Sequence, residues 1–221
     1  MISSAVLQWI AVVAMTIDHI GYYFCNDFFP LRAIGRLAMP IFLFLLVEGF
    51  VHTRSRARYF SRLIIFALAA FAPHWALSVL MHTPFTMNVL FTLALSLLAL
   101  ICVYKKGWFY LGLIPILALV LCIDFEYGIC AVLAAVGFYF ARTLFANNRP
   151  FRILAQFLVL TAMNITLYLQ TGWAVQLLAI AAIIPIALYN GKKGHRVGGY
   201  FFYLYYPLHL FAMLATKLFL Y

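Results

Sequence analysis

A chain of 221 residues that is 67% hydrophobic and 9% charged, with mean hydropathy +1.05, cannot cover a water-facing surface. Its net charge of +10 suggests a nucleic-acid partner, but the basic residues fall in short loops between apolar runs, so none is expected. Cys25, Cys102, Cys122 and Cys130 lack CxxC spacing and lie in or beside apolar runs, which predicts packed thiols and no metal site.

The composition predicts an all-α, polytopic membrane helix bundle forming one domain over residues 1–221. In chain order the apolar stretches are 5–25, 31–53, 62–81, 86–104, 108–124, 127–146, 151–169, 173–190 and 199–220, about nine spans. The first is long, lacks a basic leader and carries Asp18-His19, so it is not expected to be a cleaved signal peptide.

Loop charge alternates along these stretches. Arg54, Arg56, Arg58 and Arg62 follow span 2, Lys105 and Lys106 follow span 4, Arg142, Arg149 and Arg152 flank the 6–7 turn, and Lys192, Lys193 and Arg196 follow span 8. The intervening loops hold Asp27, Asp124 and Glu126, with Arg32 as the basic exception. This pattern places the N-terminus in the cytoplasm and the C-terminus outside.

Polar residues inside these spans are costly and mark functional candidates. At 1.5 Å per residue His19 lies ~18 Å from Leu7 along span 1, and Arg36 ~8 Å from Leu31 along span 2. His74 and His209 fall near mid-span, and Asn88 and Thr92 share one face of span 4. A neutral imidazole such as His19 can take a proton from an amine or hydroxyl nucleophile. Asp18 and His19 point ~100° apart on a helix, so Asp18 is expected to pair elsewhere, with Arg36 its leading partner by depth.

Glu48 and His52 form an i,i+4 pair, and Arg54, Arg58 and Arg62 form one helical stripe suited to phosphates. Each feature has a structural alternative. Asp18–Arg36 can be an ion pair for assembly alone, the histidines can be packing residues beside Pro73 and Pro207, and the arginines can serve topology and anionic lipid.

Five strings then carry a resemblance: IDHIG (17–21), LRAIGRLAMPIFLFLLVEGFVHT (31–53), NVLFTLAL (88–95), EYGICAVL (126–133) and YPLHL (206–210). In this order they resemble the TraX family, named for the enzyme that acetylates the N-terminus of conjugative pilin and similar to the broader transmembrane acyltransferases. The family often has Asp-Tyr-Gly where this chain has Glu126-Tyr127-Gly128.

The resemblance implies site residues Asp18, His19, Arg36, Glu48, His52, Asn88, Thr92 and His209, and a place in the bacterial inner membrane. It implies an acetyltransferase using cytoplasmic acetyl-CoA, held by Arg54, Arg58, Arg62, Glu48 and His52, with a pilin or another amine or hydroxyl acceptor. His19 would be general base, and Arg36 or Asn88 would polarise the thioester carbonyl. Direct transfer and an acetyl-histidine intermediate both fit. The rival readings are a small-solute or proton-coupled transporter and a non-catalytic membrane chaperone for pilin-like segments.

The charge alternation yields a direct test. Arg56→Cys and Lys193→Cys should label with an impermeant thiol reagent only from the cytoplasmic side, and Thr83→Cys only from outside; labelling of 56 and 83 from one side overturns the nine-span topology.

Overall fold

The computed structural model describes residues 1–25, 27–195 and 200–220; the loop residue Arg196 lies outside the described residues. Among the described residues the chain is helical, with two isolated backbone bridges, Ile2–Tyr189 and Met87–Phe125. The α-helices are α1 (Ser4–Phe24), α2 (Phe29–Gly35), α3 (Ala38–His52), α4 (Arg56–Leu80) and α5 (Val89–Lys105). They continue with α6 (Leu113–Cys122), α7 (Gly128–Leu144), α8 (Arg149–Thr171), α9 (Ile183–Ala187) and α10 (Phe201–Leu220). 3₁₀ runs, Gly107–Gly112 and Ala174–Ala182, lead into α6 and α9.

Helix therefore occurs in each of the nine predicted stretches. Four helical stretches have the length and composition to cross a membrane: Ser4–Phe24, Phe29–His52, Arg56–Leu80 and Arg149–Thr171. Val89–Lys105, Gly107–Cys122, Gly128–Leu144 and Ala174–Ala187 are apolar but shorter, so the full count of nine spans rests on loop charge. A 3₁₀ backbone rises ~2.0 Å per residue, so Ala174–Ala187 reaches roughly 25 Å despite its length. Large apolar side chains face outward, including Leu169 at 75% exposure and Ile65 at 60%, as a lipid-facing exterior requires.

Proline explains the departures from plain α-helix. The stretch 31–53 is broken at Arg36-Leu37, where one continuous span was expected. Pro40 has no N–H to donate to the Arg36 carbonyl, and its ring crowds that carbonyl. The chain therefore restarts as α3, with Pro40 in the first turn, where helix N–H groups have no partner to lose. Pro115 and Pro185 stand likewise at the third residue of α6 and α9, each just after a 3₁₀ run.

The chain forms two compact units. The first is Met1–Val51 with Leu133–Val197. Here α1 packs on α2, α2 on the 174–182 run, and α8 on that run and α9. Phe44 meets Phe138 edge-on and Phe50 meets Tyr139, joining α3 to α7. A Cβ at Gly137 would stand 2.7 Å from Val159, so glycine permits the close approach of α7 to α8. The N-terminal strand of chain is tied down by backbone hydrogen bonds, Ile2 to Leu188 at 2.8 Å and Ser4 to Lys192 at 2.9 Å.

The second unit is His52–Val132 with Gly198–Tyr221. Its α4 packs against α5 and α10, and α5 against α6. Ser55 caps α4 by accepting from the Arg58 N–H, and Asn88 caps α5 by accepting from Leu90. The backbone at Met87 docks on the loop between α6 and α7 through Met87 to Asp124 at 2.7 Å and Glu126 to Met87 at 3.0 Å.

Candidate functional site

In the first unit a buried ion cluster joins three elements. Asp18, on α1, takes Arg32 Nη1 at 2.8 Å and Arg36 Nη2 at 2.5 Å, both on Oδ2. All three residues are 8% exposed. Arg32 Nη1 also donates to the Asp18 carbonyl, and Arg32 Nε meets the half-exposed Asp27 at 3.1 Å. Trp173 lies 4.9 Å from both guanidiniums, a cation–π contact that shields them from lipid.

The polar chain continues inward. Arg36 Nη1 donates to Gln176 Oε1 at 3.4 Å, Gln176 Nε2 to Asn164 Oδ1 at 2.7 Å, and Asn164 Nδ2 to the Leu160 carbonyl at 2.8 Å. Each member of this chain is buried. Its closest backbone approach is at Gly35, where a Cβ would collide with the Asp18 side chain. His19, the next residue on α1, is half-buried and meets Tyr23 edge-on at 5.8 Å.

The first unit also holds a cavity of about 330 Å³ lined by Glu48, Arg142, Arg149, Arg152, Gln156 and Tyr189 among others. Arg142 Nε donates to Glu48 Oε1 at 2.6 Å. The Tyr189 phenol donates a hydrogen bond to that same Glu48 carboxylate.

The second unit holds the remaining candidates. Asn88 is fully buried and its amide donates to the Ala67 carbonyl at 3.0 Å, beside its capping bond. Thr92 donates to the Glu126 carbonyl at 2.8 Å. His74 Nε2 lies 3.0 Å from the Thr86 carbonyl and 3.7 Å from Glu126 Oε1. His209 Nδ1 lies 3.1 Å from the Tyr205 carbonyl, with its ring stacked on Tyr205. Since a carbonyl only accepts, Nδ1 donates and the neutral ring keeps Nε2 as its acceptor. Arg54 and Arg58 are exposed, while Arg62 is half-buried near Tyr59 and Tyr203. His52, at the end of α3, is exposed.

The expected Asp18–Arg36 pair is therefore present, and sequence reasoning missed its second arm. Arg32, the basic exception in the loop-charge pattern, is instead part of α2, and its i,i+4 relation to Arg36 is the signal in the sequence. Gln176 and Asn164 were visible as lone amides in apolar stretches. The partner of Glu48 was not visible, because Arg142 is remote in sequence.

The TraX protein family matches the chain over residues 3–217. This chain belongs to the TraX family. It is 32% identical over 235 aligned positions to the probable fimbrial assembly protein FimC, serogroup H1, of Dichelobacter nodosus, covering 97% of this chain and 95% of that protein. A shorter match, 55% identical over 38 residues, links this TraX member to an uncharacterized protein of Rickettsia prowazekii, covering 17% of this chain and 15% of that one. No solved structure matches it.

The ion cluster predicts two stability effects. Asp18→Asn leaves two buried guanidiniums short of a counter-charge and should cost about 3–5 kcal/mol. Gly35→Ala should also lower the thermal midpoint of the detergent-purified protein, because α1 and α2 must separate to admit the methyl group. Unchanged unfolding midpoints for both variants would show that the cluster does not hold α1 against α2.

Proposed function

We propose that this TraX member is an integral-membrane acetyltransferase of the bacterial inner membrane, N-terminus cytoplasmic and C-terminus outside, acting in pilus or fimbria assembly. It would move an acetyl group from cytoplasmic acetyl-CoA to an amine or hydroxyl acceptor, with a pilin N-terminus the leading acceptor. Family membership and the name of the Dichelobacter nodosus relative support the assembly context. The observation that carries the chemistry is His19 half-buried one residue from Asp18, whose Oδ2 holds two guanidiniums.

In this reading the acceptor nitrogen or oxygen attacks the thioester carbonyl carbon while His19 takes its proton. The carbon–sulfur bond breaks, and coenzyme A leaves as the thiol after taking up a proton. Arg36 stabilises the developing oxyanion. Asp18 fixes Arg36 and so acts through it. Arg54 and Arg58, exposed beside Arg62, would draw the coenzyme A phosphates toward the membrane, with Glu48 and His52 nearby in sequence.

A non-catalytic assembly role is the second reading, favoured by the relative's name alone. Binding of acetyl-CoA to the purified protein separates the two.

His19→Gln keeps a good helix former but cannot take up a proton. The folded variant should still bind acetyl-CoA, while transfer of labelled acetyl to membrane acceptors falls by about 10²–10⁴-fold. Near-normal transfer would remove His19 from the chemistry.

A further inference from the structure

The cavity of the first unit carries an excess of positive charge that the protein does not itself neutralise. Three guanidiniums, Arg142, Arg149 and Arg152, line it, and Glu48 is the one carboxylate among its described lining residues. Glu48 is engaged by Arg142 at 2.6 Å. Arg149 Nη2 donates to the Ala187 carbonyl at 2.8 Å and Arg152 Nη1 to the Ala146 carbonyl at 3.2 Å, both neutral oxygens.

The whole chain has five acidic residues, so little counter-charge is available. Asp18 and Asp27, the other two acidic residues of this unit, are bound by Arg32 and Arg36.

The helix adds to this imbalance. Arg149 is the first residue of α8 and Arg152 lies in its first turn, which contains no acidic residue. A helix N-terminus carries about half a positive charge, so two arginines there are locally unfavourable and an anion relieves them. Asn148 caps the helix through the Phe151 N–H, which settles one donor and supplies no charge. Arginine forks match phosphate oxygens in pairs, and Gln156 and Tyr189 bring neutral polar groups to the same wall. The volume, about 330 Å³, is at the lower end for ligand sites.

We propose that the cavity bounded by α3, α7 and the start of α8 binds a phosphate group, with Arg149 and Arg152 as its donors and Arg142–Glu48 as its fixed wall. The phosphate belongs either to a soluble cofactor of the coenzyme A type or to a lipid headgroup. The soluble assignment rests on the acetyltransferase reading; the phosphate site itself does not. Loop charge puts this end of α8 on the cytoplasmic side, where both sources occur.

The test uses the full chain in phosphatidylcholine nanodiscs, titrated with pyrophosphate and adenosine 3′,5′-bisphosphate, and in discs carrying phosphatidylglycerol. Arg149→Gln/Arg152→Gln should weaken soluble-phosphate binding by roughly tenfold or more, if the source is soluble. If the source is lipid, the wild type alone should gain thermal stability from phosphatidylglycerol. Should the glutamine protein misfold, Arg149→Lys/Arg152→Lys keeps the charge, loses the forks and should show a smaller weakening in the same direction.

Wild type that responds to neither source, or variants that respond as wild type does, overturns the site. Acetyl transfer is measured in the same discs. Transfer and coenzyme A affinity unchanged in the double variant, with the same response to phosphatidylglycerol as wild type, would remove the phosphate site and leave the enzyme reading standing. Absent transfer with arginine-dependent pyrophosphate binding would do the reverse.

Discussion

A carboxylate in a low-dielectric interior must be matched, and the matching of Asp18 organises the first unit. Two arginines on one oxygen tie α1 to α2, and Trp173 caps both guanidiniums from the 174–182 run. Gln176 and Asn164 then carry the same hydrogen-bond chain to α8. Such a cluster adds little net stability over an apolar core of equal volume, but it penalises every arrangement that separates its members. Its effect is on which packing is allowed rather than on how strongly the helices adhere.

The Pro40 break belongs to the same design. A straight helix through 31–53 would wind Arg32 and Arg36 into a continuous α-helical face. The interruption at Arg36-Leu37 instead ends α2 at the cluster and lets α3 take its own direction. At the far end of α3, Glu48 repeats the theme with Arg142 in place of the Asp18 arginines. The first unit thus carries one charged tie near each end of the chain segment 29–52, with apolar contacts such as Phe44–Phe138 between them.

Much of this was legible in the sequence. Helix occurs in every apolar stretch because length and hydropathy leave the backbone no other way to satisfy its polar groups in lipid. The Asp18–Arg36 pair followed from depth, since buried charges at one level seek each other. Arg32 was misread because its sequence neighbours, Pro30 and the acidic 27 position, look like a loop, while the structure winds them into α2. Glu48–Arg142 was hidden, because i,i+4 geometry offers His52 and says nothing of a helix some ninety positions away. The 3₁₀ runs escaped too, since their apolar composition fits an α-helix equally well.

The longer of those runs has a consequence for which sequence changes it can absorb. With three residues per turn, positions three apart eclipse one another, so Trp173 stands over Gln176, Ala179 and Ala182. The last three are buried, while Leu178, Ala181 and Ile184 form the parallel exposed row. An α-helical winding would rotate each successive member of the buried row by about 60°, carrying Trp173 and Ala182 onto opposite faces. One added or deleted residue within the run would turn one end against the other by ~120°. Substitutions of similar size can be accommodated along this stretch, but its reading frame cannot slip, because the arginines recognise its partners by their spacing of three.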